Sequence, residues 1–181
     1  MKKFTKILSF ALLTLTLASC LKDKGYDDGT YGINKDAEKY KIVNIPSTNT
    51  TLTTSNTYAR TAQPGTLTIP VHLSAKDPAP EDLNVTLAVD ADDTKITAYN
   101  ATLAATAVKY VRMPAASYTI SNSGVARITN GGRDGSITVT ITPSTLAAGR
   151  YMIPLSITNV DKSGYTISGN QGYRLILVTV T

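Results

Sequence analysis

Acid–base or metal chemistry needs titratable side chains gathered in one cleft, and this chain has few to offer. The only histidine, His72, falls on the polar side of a proline-containing run and reads as a solvent-facing strand residue. Asp90, Asp92 and Asp93 begin like a calcium loop, which demands a glycine at its sixth position and a closing glutamate. Lys95 stands at the glycine position and no glutamate follows, so the cluster reads as a solvated turn without metal ligands. No nucleophile elbow, zinc motif or phosphate-binding loop is present. These residues predict a protein that is not an enzyme and needs no cofactor.

Binding is another matter, because ligand contacts on a β-scaffold sit in loops or on a sheet face and leave no motif. The chain has ten tyrosines and no tryptophan, and both phenylalanines, Phe4 and Phe10, lie near the start. Sugar rings stack their apolar faces on aromatic surfaces, and tyrosine adds a hydroxyl that tolerates exposure. Tyr165 after a turn, Tyr110 at the end of a loop and Tyr99 are the candidate glycan contacts. Tyr151 and Tyr173 match inward strand phases and read as core. Tyr118, like Tyr99, also suits a corner that packs one element on another.

The single cysteine, Cys20, ends a leader with a different purpose. Lys2, Lys3 and Lys6 give a basic start, and Ile7 to Ala18 an uncharged apolar run, the signature of an export signal. That run is shorter than the roughly 20 residues needed to cross a bilayer. Leu17, Ala18, Ser19 and Cys20 resemble the bacterial lipobox, in which the cysteine is acylated and becomes the first mature residue. Each buried methylene adds about 0.8 kcal/mol, and two chains convert marginal binding into stable anchoring. The expectation is a lipid-anchored outer-membrane protein, open to exposure at the cell surface. A free reactive cysteine is disfavoured, since nothing cationic is placed to activate it.

Charge adds little. The formal +5 falls to +2 once the three leader lysines are removed, leaving 15 basic against 13 acidic residues. No basic run with interleaved aromatics remains, which argues against nucleic acid. The expected organisation is a signal peptide over 1–19, Cys20 with a flexible polar spacer over 20–39, and one domain over 40–181.

Beyond Tyr40 the periodicity is two, the mark of strands with one wet and one dry face. Leu67, Ile69, Val71 and Leu73 alternate with polar residues, as do Leu83, Val85, Leu87 and Val89. Ile137, Val139 and Ile141 repeat the pattern, then Tyr151, Ile153, Leu155 and Ile157. RLILVTVT is apolar on both faces, as in a strand covered twice or lying centrally. Weaker strands are predicted at YKIVNI, SYTIS and VARIT. Pro70 and Pro154 place their strands at an edge or a bulge. A short helical turn is expected near Asp92 to Tyr99. The sum is all-β: an immunoglobulin-like antiparallel sandwich of about eight strands with one helical turn.

Three elements also carry a family resemblance: Tyr99 with Asn100, Met113–Pro114 with Tyr118, and Tyr151 with Ile153, Pro154 and Leu155. Their order over residues 40–181 resembles the Bacteroidota lipoprotein domain of unknown function 1735. That resemblance implies an immunoglobulin-like module of carbohydrate-use systems, commonly placed ahead of glycan-binding or glycoside-cleaving modules. The end of the chain at Thr181 leads to the expectation that no catalytic module follows. The function expected is an accessory domain that binds a polysaccharide or docks a partner envelope protein. The alternative is a fimbrial or pilus-type subunit or adhesin, whose strand exchange would exploit an open sheet edge.

The anchor is directly testable. Mass spectrometry of the protein from its native membrane should find acyl chains on Cys20 as the first residue, and Cys20→Ser should leave the membrane fraction. An unmodified thiol, or a retained leader, would remove the envelope assignment.

Overall fold

Alternating side chains force the chain to bury one face of each strand, and two sheets meeting face to face satisfy all of them at once. The computed structural model describes residues 39–48 and 50–181; the leader, Cys20 and the spacer through residue 38 lie outside them. In chain order the elements are β1 (Ile42–Asn44), β2 (Thr53–Tyr58), β3 (Gly65–Ser74), β4 (Leu83–Val89), α1 (Thr94–Ala101), β5 (Val111–Arg112) and β6 (Tyr118–Ile120). β7 (Val125–Ile128), β8 (Asp134–Ile141), β9 (Gly149–Val160), β10 (Thr166–Ile167) and β11 (Tyr173–Val180) complete the set. One sheet runs β10-β1-β3-β8-β6; the other runs β2-β11-β9-β4-β7, with β5 alongside β9. Residues Tyr40–Thr181 form one compact unit.

The all-β sandwich expected from the periodicity is therefore what the structure shows, with a core made by the alternating sets. Ile69, Val71 and Leu73 meet Leu83, Val85 and Leu87, while Ile137, Val139 and Ile141 face Ile153, Leu155 and Ile157. Each such side chain contributes about 1.5–3 kcal/mol when removed from water. β11 adds Ile176, Val178 and Val180 to the same core. It is central, as its two apolar faces require, and fills its place between β2 and β9 within its own chain.

The strand count is eleven rather than about eight, and the three extra strands share a property. β2, β5 and β10 are joined in parallel, to β11, β9 and β1 respectively, whereas the six other pairings among the described residues are antiparallel. Two of them are two residues long, and β2 reads TTSNTY. Their backbones are satisfied by a stronger neighbour, so they need no apolar alternation of their own.

The two prolines behave differently from one another. Pro70 lies in β3 beyond the reach of β1, which pairs only with His72 to Ser74, so its strand is locally an edge there. Pro154 lies in β9, which is central and not bulged at that point; the register shift in the β4–β9 ladder falls at Thr86/Leu87. The expectation of an edge or bulge at Pro154 is corrected by a change of partner. β4 pairs with β9 as far as Leu155, and β5 takes up the same strand at Tyr151 and Met152.

Pro154 O still accepts from Asp90 N at 2.9 Å. A hydrogen-bonded antiparallel pair exchanges two bonds, so the N–H that proline lacks would have gone to Asp90 O. Arg112 supplies that bond instead, donating from Nη1 to Asp90 O at 2.7 Å. Its remaining nitrogens donate to Asp92 O and, at 2.7 Å, to Asp93 Oδ1. One guanidinium thus completes the ladder at the handover.

Replacing it should be costly. Arg112→Ala is expected to lose about 1–3 kcal/mol in urea unfolding, the usual cost of orphaned carbonyls. Arg112→Lys should recover only part, because an ammonium lacks the planar fork. Wild-type stability in both variants would show that the guanidinium does not stand in for the missing amide.

Candidate functional site

Strand β11 needs cover on its outer face too, since Leu175 and Leu177 project away from the main core together with Met152 of β9. α1 supplies it: Ile96 is buried against these three, and the rings of Tyr99, Tyr110 and Tyr173 pack around them. Tyr99 and Tyr110 meet edge to face, with centroids 5.7 Å apart. A helix this short is marginal alone, so polar contacts at both ends matter.

At its N-terminus Asp92 Oδ1 accepts from Thr94 N at 2.9 Å, placing negative charge where the helix dipole favours it. That bond from Thr94 N, more than any other cause, holds the Asp92 carboxyl below the ordinary aspartate range. At the other end Lys109 Nζ donates to the carbonyls of Asn100, Leu103 and Ala104 at 3.0–3.1 Å. Asn100 then holds the returning chain: its Nδ2 donates to Tyr110 O at 2.8 Å and its Oδ1 accepts from Tyr110 N at 2.9 Å. The Tyr99–Asn100 pair is thus a fastening of the cover, by ring and by amide.

The cover is incomplete along one side. Between α1 and the segment before β2 lies an open groove of ≈ 340 Å³, with Tyr173 and Leu175 of β11, Ala98, Tyr99 and Thr102 of the helix side, and Thr50 and Thr51 opposite. Lys95 also borders it. Its Nζ stands 5.1 Å from the centre of the Tyr173 ring and is held by Asp90 Oδ2 at 2.5 Å and Ser156 Oγ at 3.2 Å. The opposite rim is fixed by β11 itself. Leu175 N donates to Leu52 O at 3.0 Å, and the buried Arg174 donates to Ser47 Oγ at 2.8 Å and to the carbonyls of Ile45 and Pro46. Burial pulls the Arg174 guanidinium below the ordinary arginine range.

Aromatic rings, an apolar floor and hydroxyl or ammonium groups at the rim are the composition of a site for a ligand with both apolar and hydroxyl faces. Of the three candidate tyrosines, the structure puts Tyr99 in the groove and Tyr110 directly behind it, under the guanidinium of Arg150 at 5.6 Å. Tyr165 is elsewhere, ahead of β10 at the edge of the other sheet. Its ring packs against the main core, Lys41 lies 5.0 Å above it, and burial raises its hydroxyl above the ordinary tyrosine range.

Tyr173 and Lys95 are the groove residues that sequence reading missed. Tyr173 has the parity of Leu175 and Leu177, so it belongs to the outer cluster and not to the main core as expected. In a strand apolar on both faces, either parity suits a buried tyrosine. Lys95 was legible only as an intruder in a calcium-like loop. The carboxylates of that loop are engaged, Asp90 by Lys95, Asp93 by Arg112 and Asp92 by the helix N-terminus. Among the described residues, no three histidine, cysteine or acidic side chains are grouped to hold a metal. His72 sits across from Asp134 in the β3–β8 ladder, with Nδ1 2.7 Å from Asp134 Oδ1.

A family model described as a "-like, N-terminal domain" matches residues 17–164. The chain belongs to that family of N-terminal domains. No curated protein matches it. Among solved structures it is similar to a multidomain protein including DUF1735 from Bacteroides ovatus, at 16% identity and a TM-score of 0.56, over 78% of this chain and 45% of that one. An auxiliary nutrient binding protein from Bacteroides thetaiotaomicron matches at 18% identity and a TM-score of 0.52, over 72% of this chain and 44% of that one. EndoBT-3987 of the same genus, solved with its Man5GlcNAc product, matches at 17% and 0.53, over 70% of this chain and 28% of that one. The chain therefore spans less than half the length of each, and at these identities the likeness is one of fold.

The electrostatics of the cover and its neighbours set a pH dependence. Asp82 is lowered chiefly by Arg127, Asp92 by Thr94 N and Asp161 by Asn84 N. A carboxyl whose folded pKa is depressed contributes stability above its unfolded value of about 3.9 and loses it as pH falls through the folded value. Urea midpoints should therefore be flat from neutral pH down to about 5 and drop below about 4. Asp92→Asn should show a shallower drop, whereas an identical profile would mean the helix N-terminus does not hold that charge.

Proposed function

We propose that this chain is a non-catalytic, lipid-anchored outer-membrane lipoprotein of the kind seen in domain of unknown function 1735, serving a carbohydrate-use system by binding glycan in the groove beside α1. The groove carries the reading: Tyr99 and Tyr173 present aromatic surface beside the apolar Leu175 and Ala98, while Thr50, Thr51, Thr102 and Lys95 border it with hydroxyl and ammonium groups. A pyranose has the complementary surfaces, an apolar face and a hydroxylated edge.

Two further observations support the role. The family is one of N-terminal domains, and solved proteins of similar fold include an auxiliary nutrient binding protein and one holding a Man5GlcNAc product. The fold neighbour solved with its glycan product is more than three times this chain's matched portion in length. Anchoring through Cys20, with the segment to Lys39 as spacer, would keep the sandwich tethered at the membrane.

Affinity electrophoresis and calorimetry with yeast mannan, xylan and soluble glucan test the site. At least one should bind wild type, and Tyr173→Ala should weaken that binding about tenfold or more, the worth of one stacked ring. Tyr40→Ser, on an exposed residue outside the groove, should leave it unchanged. No retention of any of the three, or equal affinity in Tyr173→Ala, would overturn the glycan reading.

A further inference from the structure

Two other clefts adjoin the groove, and each shares a lining residue with it. Lys95 borders both the groove and a cleft of ≈ 500 Å³ bounded by Asp90, Asp92, Thr94 and Thr158. On the other side Thr50 borders both the groove and a cleft of ≈ 320 Å³ bounded by Ser47, Thr48, Asn170 and Gln171. The three form a row.

The strand order explains why the row crosses the sheet. Ala88 of β4, Ser156 of β9 and Tyr173 of β11 are successive partners in register, and Leu175 of β11 partners Thr53 of β2. From β4 to β2 is three strand spacings, roughly 14 Å, which is longer than one sugar ring. The central position is aromatic and apolar. The outer two have no aromatic lining; beside Val89 and Ala91 in one and Leu52 in the other, they offer carboxylate, hydroxyl and amide groups able to bond hydroxyls.

The geometry points to a ligand that is an extended neutral glycan chain, seated across at least three positions: a stacked unit over Tyr173 and Tyr99, and a hydrogen-bonded unit on each side. Neutrality follows from the first cleft. Asp92 is exposed there, and Lys95, the cation that borders it, is already held by Asp90. Asp90, Asp92 and Asp93 outnumber the two cations that engage them, Lys95 and Arg112, so a polyanionic chain would meet net negative charge at that end. This inference rests on the reading of the groove as a sugar site and adds to it the length and charge class of the ligand.

Calorimetry with manno-, xylo- and cello-oligosaccharides from one to six units, and with oligogalacturonates of the same lengths, separates the two. Affinity on at least one neutral series should rise on the order of tenfold for each of the first two added units and then level off. Thr158→Trp and Asn170→Trp, both at exposed positions, each fill one outer cleft. Each should remove one step of that rise while leaving the single-unit affinity and the thermal midpoint unchanged. Binding with no length dependence, or a rise untouched by both variants, overturns the chain inference and leaves the groove reading standing. Tighter binding of the oligogalacturonates overturns the neutral class. No binding on any series overturns the inference and the groove reading together.

Discussion

The structure depends on a strand that is apolar on both faces. β11 carries Ile176, Val178 and Val180 toward one side and Leu175 and Leu177 toward the other. A strand of that composition cannot leave either face in water. The opposing sheet covers the first face, but a two-layer sandwich has nothing to lay on the second. The connection between β4 and β6 fills that need by forming α1 and folding across the outer surface. Burial of Ile96 and three tyrosine rings drives the helix onto the sheet, and its own sequence does little to hold it there.

Beside this packing, the cover is fastened by side chains bonded to backbone. Arg112 completes the ladder where Pro154 withholds an amide, Asn100 pairs with the backbone of Tyr110, and Lys109 closes the helix C-terminus. Such bonds fix a position with little surface, which suits a cover only eight helical residues long. They also leave one flank open. The groove is that flank, and its aromatic walls are residues that the cover needs in any case. A binding surface here is thus a by-product of incomplete enclosure, with Lys95 and the Thr50–Thr51 rim giving it polar edges.

Several of the residues that carry the family resemblance take on physical content in the same region. Tyr99 and Asn100 fasten the cover, and Pro154 marks the point where β9 exchanges β4 for β5. Tyr151, by contrast, lies against the main core and ties its hydroxyl to Ala147 O at 3.0 Å. Tyr99, Asn100 and Pro154 thus serve the seating of an added helix on the sheet, while Met113, Tyr118 and Tyr151 serve the main core.

Much of the sandwich was written in local pattern. The alternating sets at Leu67 to Leu73, Leu83 to Val89, Ile137 to Ile141 and Tyr151 to Ile157 name their inward faces without ambiguity, because a one-residue slip would drown every apolar side chain. The same logic made RLILVTVT a doubly covered strand. β2, β5 and β10 were not legible, since each borrows its order from a neighbour and carries no period. Nor was the partnership of Tyr173, Tyr99 and Lys95: residues about 75 positions apart meet only because β11 and α1 are stacked. The sequence alone therefore determined which faces had to be buried, as burial is a property of each residue and its nearest neighbours. Only the tertiary structure decided what would lie over the outer face and where that cover would stop, because those depend on distances between elements that no local period encodes.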